Sequence, residues 1–431
     1  MNKLTHLATM ITMASMLVAC QDNSETENKE PEAAKSQTKS FTLAAPQVND
    51  FSVTDIDSPT SAPINTSRET VNFVTKIPAD FTIASPSVSH SIKSDEYWTK
   101  VSGAELNSGV ALTISQASSV IRISPRADTS SGTLVHSKAI PPENIQLLKD
   151  SDKTNSTQTK SYIKSLADPQ ALATAGLTDD SSALLLSADA KAGQYRLRVS
   201  EKLQPSASYM VNVKEKNSPY QLTLTSRNNL ASTQASIPFE LELTNSKTKL
   251  KPTASLKHAN GSFQALKVVQ VNGQWQAKLP EVNAMPDNNL GLSEIQLQVS
   301  TQVAGKAVVR TVKKAFKQFV PSAKIKPTIT SKWQNGLPES LTVALDMDKA
   351  GRFSVAGYLT GVDEQGKDKP ILKTESASWL TPDSTEITLK LDTDLIAKSG
   401  LKAPYKLQGL TLKDQGQMAR LSYQAHGLTL N

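Results

Sequence analysis

The chain is poor in the residues from which most active sites are built. It has one cysteine, Cys20, so no disulfide forms within it, and each folded unit needs its own apolar core. Its five histidines, His6, His90, His136, His258 and His426, show no His-x-x-x-His spacing, and no Cys-x-x-Cys pair exists. A zinc site therefore has no ligand set local in sequence. Neither a Gly-x-Ser-x-Gly elbow nor a Gly-rich phosphate loop is present, which argues against a serine hydrolase of the α/β type and against a nucleotide cradle. Aromatic residues make up only 5% of the chain. That is few for a glycosidase cleft, although two carboxylates from distant strands could still form one. The four tryptophans, Trp98, Trp275, Trp333 and Trp379, are scattered, and core packing is the simpler role for most of them. After the first twenty residues no apolar run reaches the eighteen or so residues of a membrane-spanning helix.

The one long apolar stretch is at the start. Lys3 precedes Leu7 to Ala19, which ends Leu17-Val18-Ala19-Cys20. The stretch is too short for a stop-transfer helix and has the small-residue end of a cleaved secretory signal. The final box resembles a lipobox. That resemblance implies a signal peptide over 1–19, cleavage after Ala19 and lipidation of Cys20. Gln21 follows in place of the aspartate that retains lipoproteins in the inner membrane, so in a two-membrane host the expectation is an outer-membrane lipid anchor, on the periplasmic face or the cell surface. Loss of Lys3 with the signal takes the formal charge from +7 to +6. With a pI near 9.1, this favours anionic surfaces such as acidic glycan or lipid headgroups.

Residues 20–40 are rich in Asn, Ser, Glu, Lys and Thr. They lack the apolar side chains that offset ordering entropy and read as a tether spanning on the order of 25 Å. Beyond it the chain is mainly β. Residues 41–217 read as an N-terminal β-rich domain with little helix. Its helix candidate is Ser161 to Ala175, interrupted at Pro169. Residues 218–321 and 322–431 read as two tandem immunoglobulin-like β-sandwiches. The pattern is six or seven short alternating strands in about 100 residues, with hairpin turns expected at Asn272-Gly273 and Ala304-Gly305. The two repeats echo each other weakly, each ending in a hairpin whose last strand carries an arginine, Arg310 and Arg420.

Two acidic motifs have plain readings. Asp346-Met-Asp348 imitates the start of a calcium loop, but Ala350 and Gly357 stand where oxygen ligands belong, so it reads as a turn. Asp392-Thr-Asp394 reads as a cap. The basic signal is stronger. Lys306, Arg310, Lys313, Lys314 and Lys317 lie in a stretch without an acid, with Lys247, Lys249, Lys251 and Lys257 in the same repeat. By strand parity both faces carry charge, which fits an exposed edge strand guarded by lysines. If the two groups converge, those five residues become a candidate anion-binding face. No aromatic interleaving or nucleic-acid reading motif accompanies them, so nucleic acid is not expected as a partner.

Three stretches, Tyr97-Trp-Thr-Lys-Val-Ser-Gly-Ala-Glu-Leu-Asn-Ser-Gly-Val110, Gly193-Gln-Tyr-Arg-Leu-Arg-Val199 and Gly351-Arg-Phe-Ser-Val-Ala-Gly-Tyr-Leu359, resemble a family of bacterial envelope proteins labelled domain of unknown function 4785. The resemblance implies a β-rich N-terminal module followed by immunoglobulin-like sandwiches, and it brings no catalytic residues. The expectation is a non-enzymatic envelope lipoprotein with a binding, scaffolding or adhesion role. Its expected partners are the membrane, through the lipid, and an envelope protein or anionic glycan or lipid. No cofactor and no metal are expected. The alternatives are a hydrolase or enzyme accessory with a cleft in the N-terminal domain, and a periplasmic inhibitor or chaperone-like factor that pairs an edge strand with a client.

Overall fold

The structure, a computed structural model, describes residues 36–60, 62–87, 89–128, 135–150, 162–258, 262–280 and 292–431. The signal peptide, Cys20 and the tether up to residue 35 lie outside the described residues, as does the side chain of His136. Three separate apolar clusters form the cores of three β modules.

The N-terminal module packs two sheets face to face. One has the strand order Glu96–Ser102, Ser208–Lys214, Val120–Asp128, Ser182–Leu186, Ile163–Ala167; the other runs Val110–Ile114, Gly193–Val199, Ile145–Lys149. Strand alternation decides which side chains face inward. Tyr97, Ile121, Ile123, Val211 and Val213 are buried between the sheets, while Trp98, Arg122 and Ser124 take the opposite face. Tyr97 ties the two layers together: its hydroxyl donates to Thr113 O at 3.0 Å and accepts from Thr113 N at 2.9 Å. The helix expected over Ser161 to Ala175 is only half helix. Residues Ile163–Ala167 form a strand, and the helix is Pro169–Thr174, N-capped by the Asp168 side chain on Ala171 N. Pro169 disfavours helical backbone before it but suits a first helical position. A second short helix, Gly103–Ser108, opens with a Ser102/Glu105 capping box.

In the middle module the strand Phe263–Val271 belongs to both sheets. Its first half pairs with Thr253–Lys257 and its second half with Gln274–Lys278. Both expected hairpin turns form, with positive φ at Asn272, Gly273, Ala304 and Gly305. Ser89–Ser94, from the sequence before the N-terminal module, adds an edge strand to this module by pairing with Leu222–Arg227.

The C-terminal module has seven strands of its own in two sheets. Its turn around Asp348 joins Leu337–Met347 to Gly351–Val362, and Asp392 caps the helix Thr393–Lys398. Two further strands come from far upstream. Ser36–Thr42 pairs with Ala323–Gln334, and Val71–Lys76 pairs with Asp368–Leu380. This corrects two boundaries. Residues 36–40 are a strand, not tether, and residues 41–76 strap the C-terminal sandwich instead of joining the N-terminal core. The physical reason is edge capping: each strap strand satisfies the backbone of an outer strand that would otherwise be open. Cations on or beside the strap also sit over ring faces, Lys39 4.1 Å from the Trp333 ring and Arg68 3.6 Å from the Trp379 ring.

Candidate functional site: a basic cleft between the N-terminal and middle modules

The strand Lys306–Phe319 is not an exposed edge. It pairs along its length with Leu292–Val303, and its last three residues pair with Asn229–Ala231. The rest of its free side is covered by the strand Ser89–Ser94 and by the N-terminal module: Thr311 is fully buried, its carbonyl accepting from Ser94 Oγ at 2.6 Å and its hydroxyl oxygen from Trp98 N at 3.4 Å. The even-numbered face that carries Arg310 and Lys314 also carries Val308, Val312 and Phe316, all part of the middle core.

The five basic residues consequently do not share one surface. Arg310 is 1% exposed and makes an ion pair with the fully buried Glu215 at 2.6 Å. It also donates to Tyr220 O (2.7 Å), Val309 O (2.7 Å) and Ser218 Oγ (2.8 Å). Glu215 in turn accepts from Ser115 N at 2.6 Å and from the Ser115 hydroxyl. This cluster pins the middle module to the N-terminal one. Lys314 is buried and donates to Ser226 O, and burial lowers its pKa to about 8. Lys317 donates to Gln417 O of the C-terminal module. Gln417 completes that joint by accepting from Val320 N (2.8 Å) and donating to Val320 O (2.9 Å). Lys306 is exposed at the hairpin. The five residues are therefore corrected as one anion-binding set: of them, Lys313 alone lines the cleft between the N-terminal and middle modules.

That site is a cleft of ≈ 530 Å³. One wall is the outer face of the N-terminal sheet that contains Glu96–Ser102, Ser208–Lys214 and Val120–Asp128. Strand register sets its side chains in rows, Trp98 beside Asn212 and Arg122, then Lys100 beside Met210 and Ser124, then Ser208 beside Arg126. The other wall is the middle module, which contributes the cross-strand pairs Lys257–Glu294 and Gln296–Lys313. Lys257 and Lys313 thus do converge, as two of the nine lysines and arginines singled out in that repeat, while Lys247, Lys249 and Lys251 stay on exposed positions elsewhere.

Five cations line the cleft against two acids. Asp179 is committed: Arg122 approaches it at 3.5 Å, and the Ser124 and Ser181 hydroxyls donate to it at 3.0 and 2.7 Å. Partial burial pushes its pKa up, but those two hydroxyls and Arg122 outweigh burial and hold it below the usual carboxylate range. Burial lowers the pKa of Lys313, and the charges of Lys257 and Arg126 lower it further against the opposing pull of Glu294 and Glu96. The Lys313 ammonium lies 4.2 Å from the centre of the Trp98 ring. Lys257 lies 5.9 Å from that of Phe263, a ring left 58% exposed. Lys100 and Arg126 have no acid or hydrogen-bond partner among the described residues, and the Ser208 hydroxyl, on the same wall, is buried without one. The arrangement offers unpaired positive charge, hydroxyl and amide groups, and two ring faces to one ligand.

Sequence reasoning missed Lys100, Arg122 and Arg126, because each sits alone among apolar or neutral neighbours and only sheet register unites them. The usable signal was the alternation of Val120, Arg122 and Ser124 against Ile121 and Ile123. Among the described residues no group of three His, Cys, Asp or Glu is placed to hold a metal, and no helix is long and apolar enough to cross a membrane. His90 lies on an exposed strand position opposite Ser226, away from the cleft.

Comparison with known proteins places this architecture. Residues 62–215 match the model of the N-terminal domain, and residues 322–431 that of the C-terminal domain, of the proteins described as Domain of unknown function (DUF4785). A DUF4785 family protein from Legionella pneumophila has a similar fold, with a TM-score of 0.62 at 18% identity, covering 88% of this chain and 99% of its own. The FN1-FN3 domains of chicken CNTN1 align over 75% of this chain and 98% of their own at 9% identity, but the TM-score of 0.18 is too low to carry an argument. No significant match to a curated protein was found. Two family domains in register with the three-module architecture make the conclusion direct: this chain belongs to the DUF4785 family.

Proposed function

We propose that this is a non-enzymatic binding protein of the cell envelope, tethered through a lipid on Cys20, whose basic cleft holds an anionic oligosaccharide. The observation that carries the reading is the excess of five cations over two acids in one ≈ 530 Å³ cleft, which Trp98 and Phe263 also line and where Lys100 and Arg126 have no partner among the described residues. Carboxylate or phosphate groups on a sugar would meet the lysines and arginines, and the flat faces of the sugar would lie on the rings. Arg310 is used by the buried ion pair that joins the cleft's two walls, Lys314 by a backbone bond inside the middle module and Lys317 by one to the C-terminal module, which leaves binding to Lys313 and its neighbours.

The test is calorimetric titration of the mature chain with a uronate- or phosphate-bearing oligosaccharide and its neutral counterpart, across a salt series. The acidic sugar is expected to bind and the neutral one not. Lys257→Ser and Lys313→Ser are each expected to weaken binding roughly 10- to 150-fold, the worth of one charge-assisted hydrogen bond of about 1.5–3 kcal/mol. Equal affinity for both sugars, or an unchanged affinity in the double variant, would refute the reading. Retention of Cys20→Ser protein in the soluble envelope fraction, with wild type in the membrane fraction, tests the anchor.

A further inference from the structure

We infer that the junction of the strap, the middle module and the C-terminal module carries a second and separate binding site, one for a small carboxylate with an apolar body. A cavity of ≈ 200 Å³ lies where these three pieces meet. Two arginines line it, Arg227 at the end of the strand Leu222–Arg227 and Arg420 at the start of Ala419–Leu430, and no Asp or Glu lines it. Neither guanidinium makes an ion pair or hydrogen bond among the described residues, and the Arg420 Nε is buried without a partner. The Gln234 Oε1, on the same wall, is likewise buried and unpartnered. Asp414, the acid of the adjoining recess, is committed to Ser322 Oγ at 2.6 Å and to Gln417 Nε2 at 2.7 Å.

The contrast with Arg310 sharpens this. Arg310 and Arg420 both lie in the last strands of their modules, yet Arg310 meets Glu215 while the Arg420 guanidinium has no ion-pair or hydrogen-bond partner among the described residues. A guanidinium turned into a partly closed cavity without a counter-charge is costly to keep unless an anion completes it. The planar fork of arginine fits a carboxylate in two parallel bonds, which a lysine cannot reproduce. The rest of the wall decides the body of the ligand. Phe51, Val53, Phe319 and Leu421 make one side apolar, so a carboxylate bearing a short hydrocarbon body suits it better than a bare oxyanion.

The experiment is thermal unfolding of the full chain with hexanoate, with inorganic phosphate and with the uncharged hexanamide, each to saturation. Hexanoate is expected to raise the midpoint in a saturable way, hexanamide not at all, and phosphate less than hexanoate. Arg420→Met and Arg227→Met are each expected to remove the hexanoate response, and Arg420→Lys to retain only a small part of it. Should Arg420→Met fold poorly on its own, Arg227→Met, at an exposed position, carries the test. The cleft variant Lys257→Ser/Lys313→Ser is expected to respond to hexanoate as wild type does, so failure of the sugar-binding reading and of this one are told apart. No response to hexanoate in wild type, an undiminished response in Arg227→Met, or an equal response to hexanamide would overturn the inference.

Discussion

Removing Arg310 tests the assignment of the buried ion pair most directly. In Arg310→Met the side chain keeps its length and apolar stem, but the Glu215 carboxylate, fully buried, loses its cation and keeps only the two donors of Ser115. Breaking a buried pair from one side costs about 3–5 kcal/mol, because the remaining charge is stranded. At a urea m-value of about 2–3 kcal/mol/M this moves the midpoint down by roughly 1.5 M. Glu215→Gln, which strands the Arg310 cation instead, should cost a similar amount. The apolar double variant Arg310→Met/Glu215→Leu should recover much of the loss. Since the chain has three cores, hydrogen exchange over residues 110–115 and 306–312 identifies which unfolding transition moves. A loss under about 1 kcal/mol would mean that the pair is not what joins the two modules.

Other outcomes follow from the same structure. Lys314 has a folded pKa of about 8, below its unfolded value near 10.4, so its burial penalty is fully present below pH 8 and is relieved as pH rises toward the unfolded value. The stability of wild type relative to Lys314→Met, from urea melts at pH 7 and pH 9, should rise over that window; a constant difference would contradict the burial. Truncation to Ser89–Asn431 removes both strap strands and should leave a chain whose C-terminal module exposes two sheet edges. Light scattering should report association that the full mature chain does not show, and a monodisperse truncated chain would mean the strap is dispensable. Gly336, at φ +78° in the turn after Asn335, has open space where a Cβ would go. Gly336→Ala should therefore cost only the left-handed backbone penalty, about 1–2 kcal/mol, and a larger loss in the thermal midpoint would point to a contact there.

The sequence by itself determined the class of the fold. Period-two alternation, Asn-Gly and Ala-Gly turns and the Asp392 cap are local physics, and they can be read within a few residues. It also determined that no disulfide would hold the modules. Only the tertiary structure decided what the basic strand does. Parity placed Arg310 and Lys314 on one face, but parity does not say whether that face meets water or a core. Glu215 and Ser226 O, some 90 residues away in the chain, make burial of those cations tolerable. The cleft was illegible for the same reason, since Trp98, Arg122, Arg126 and Lys313 become neighbours only through strand register and the packing of one module on another. The strap shows the limit most plainly. Nothing in the composition of Ser36–Thr42 or Val71–Lys76 names its partner, because a backbone edge will accept any extended segment whose hydrogen bonds fit. Which segment arrives is settled by the whole chain's path.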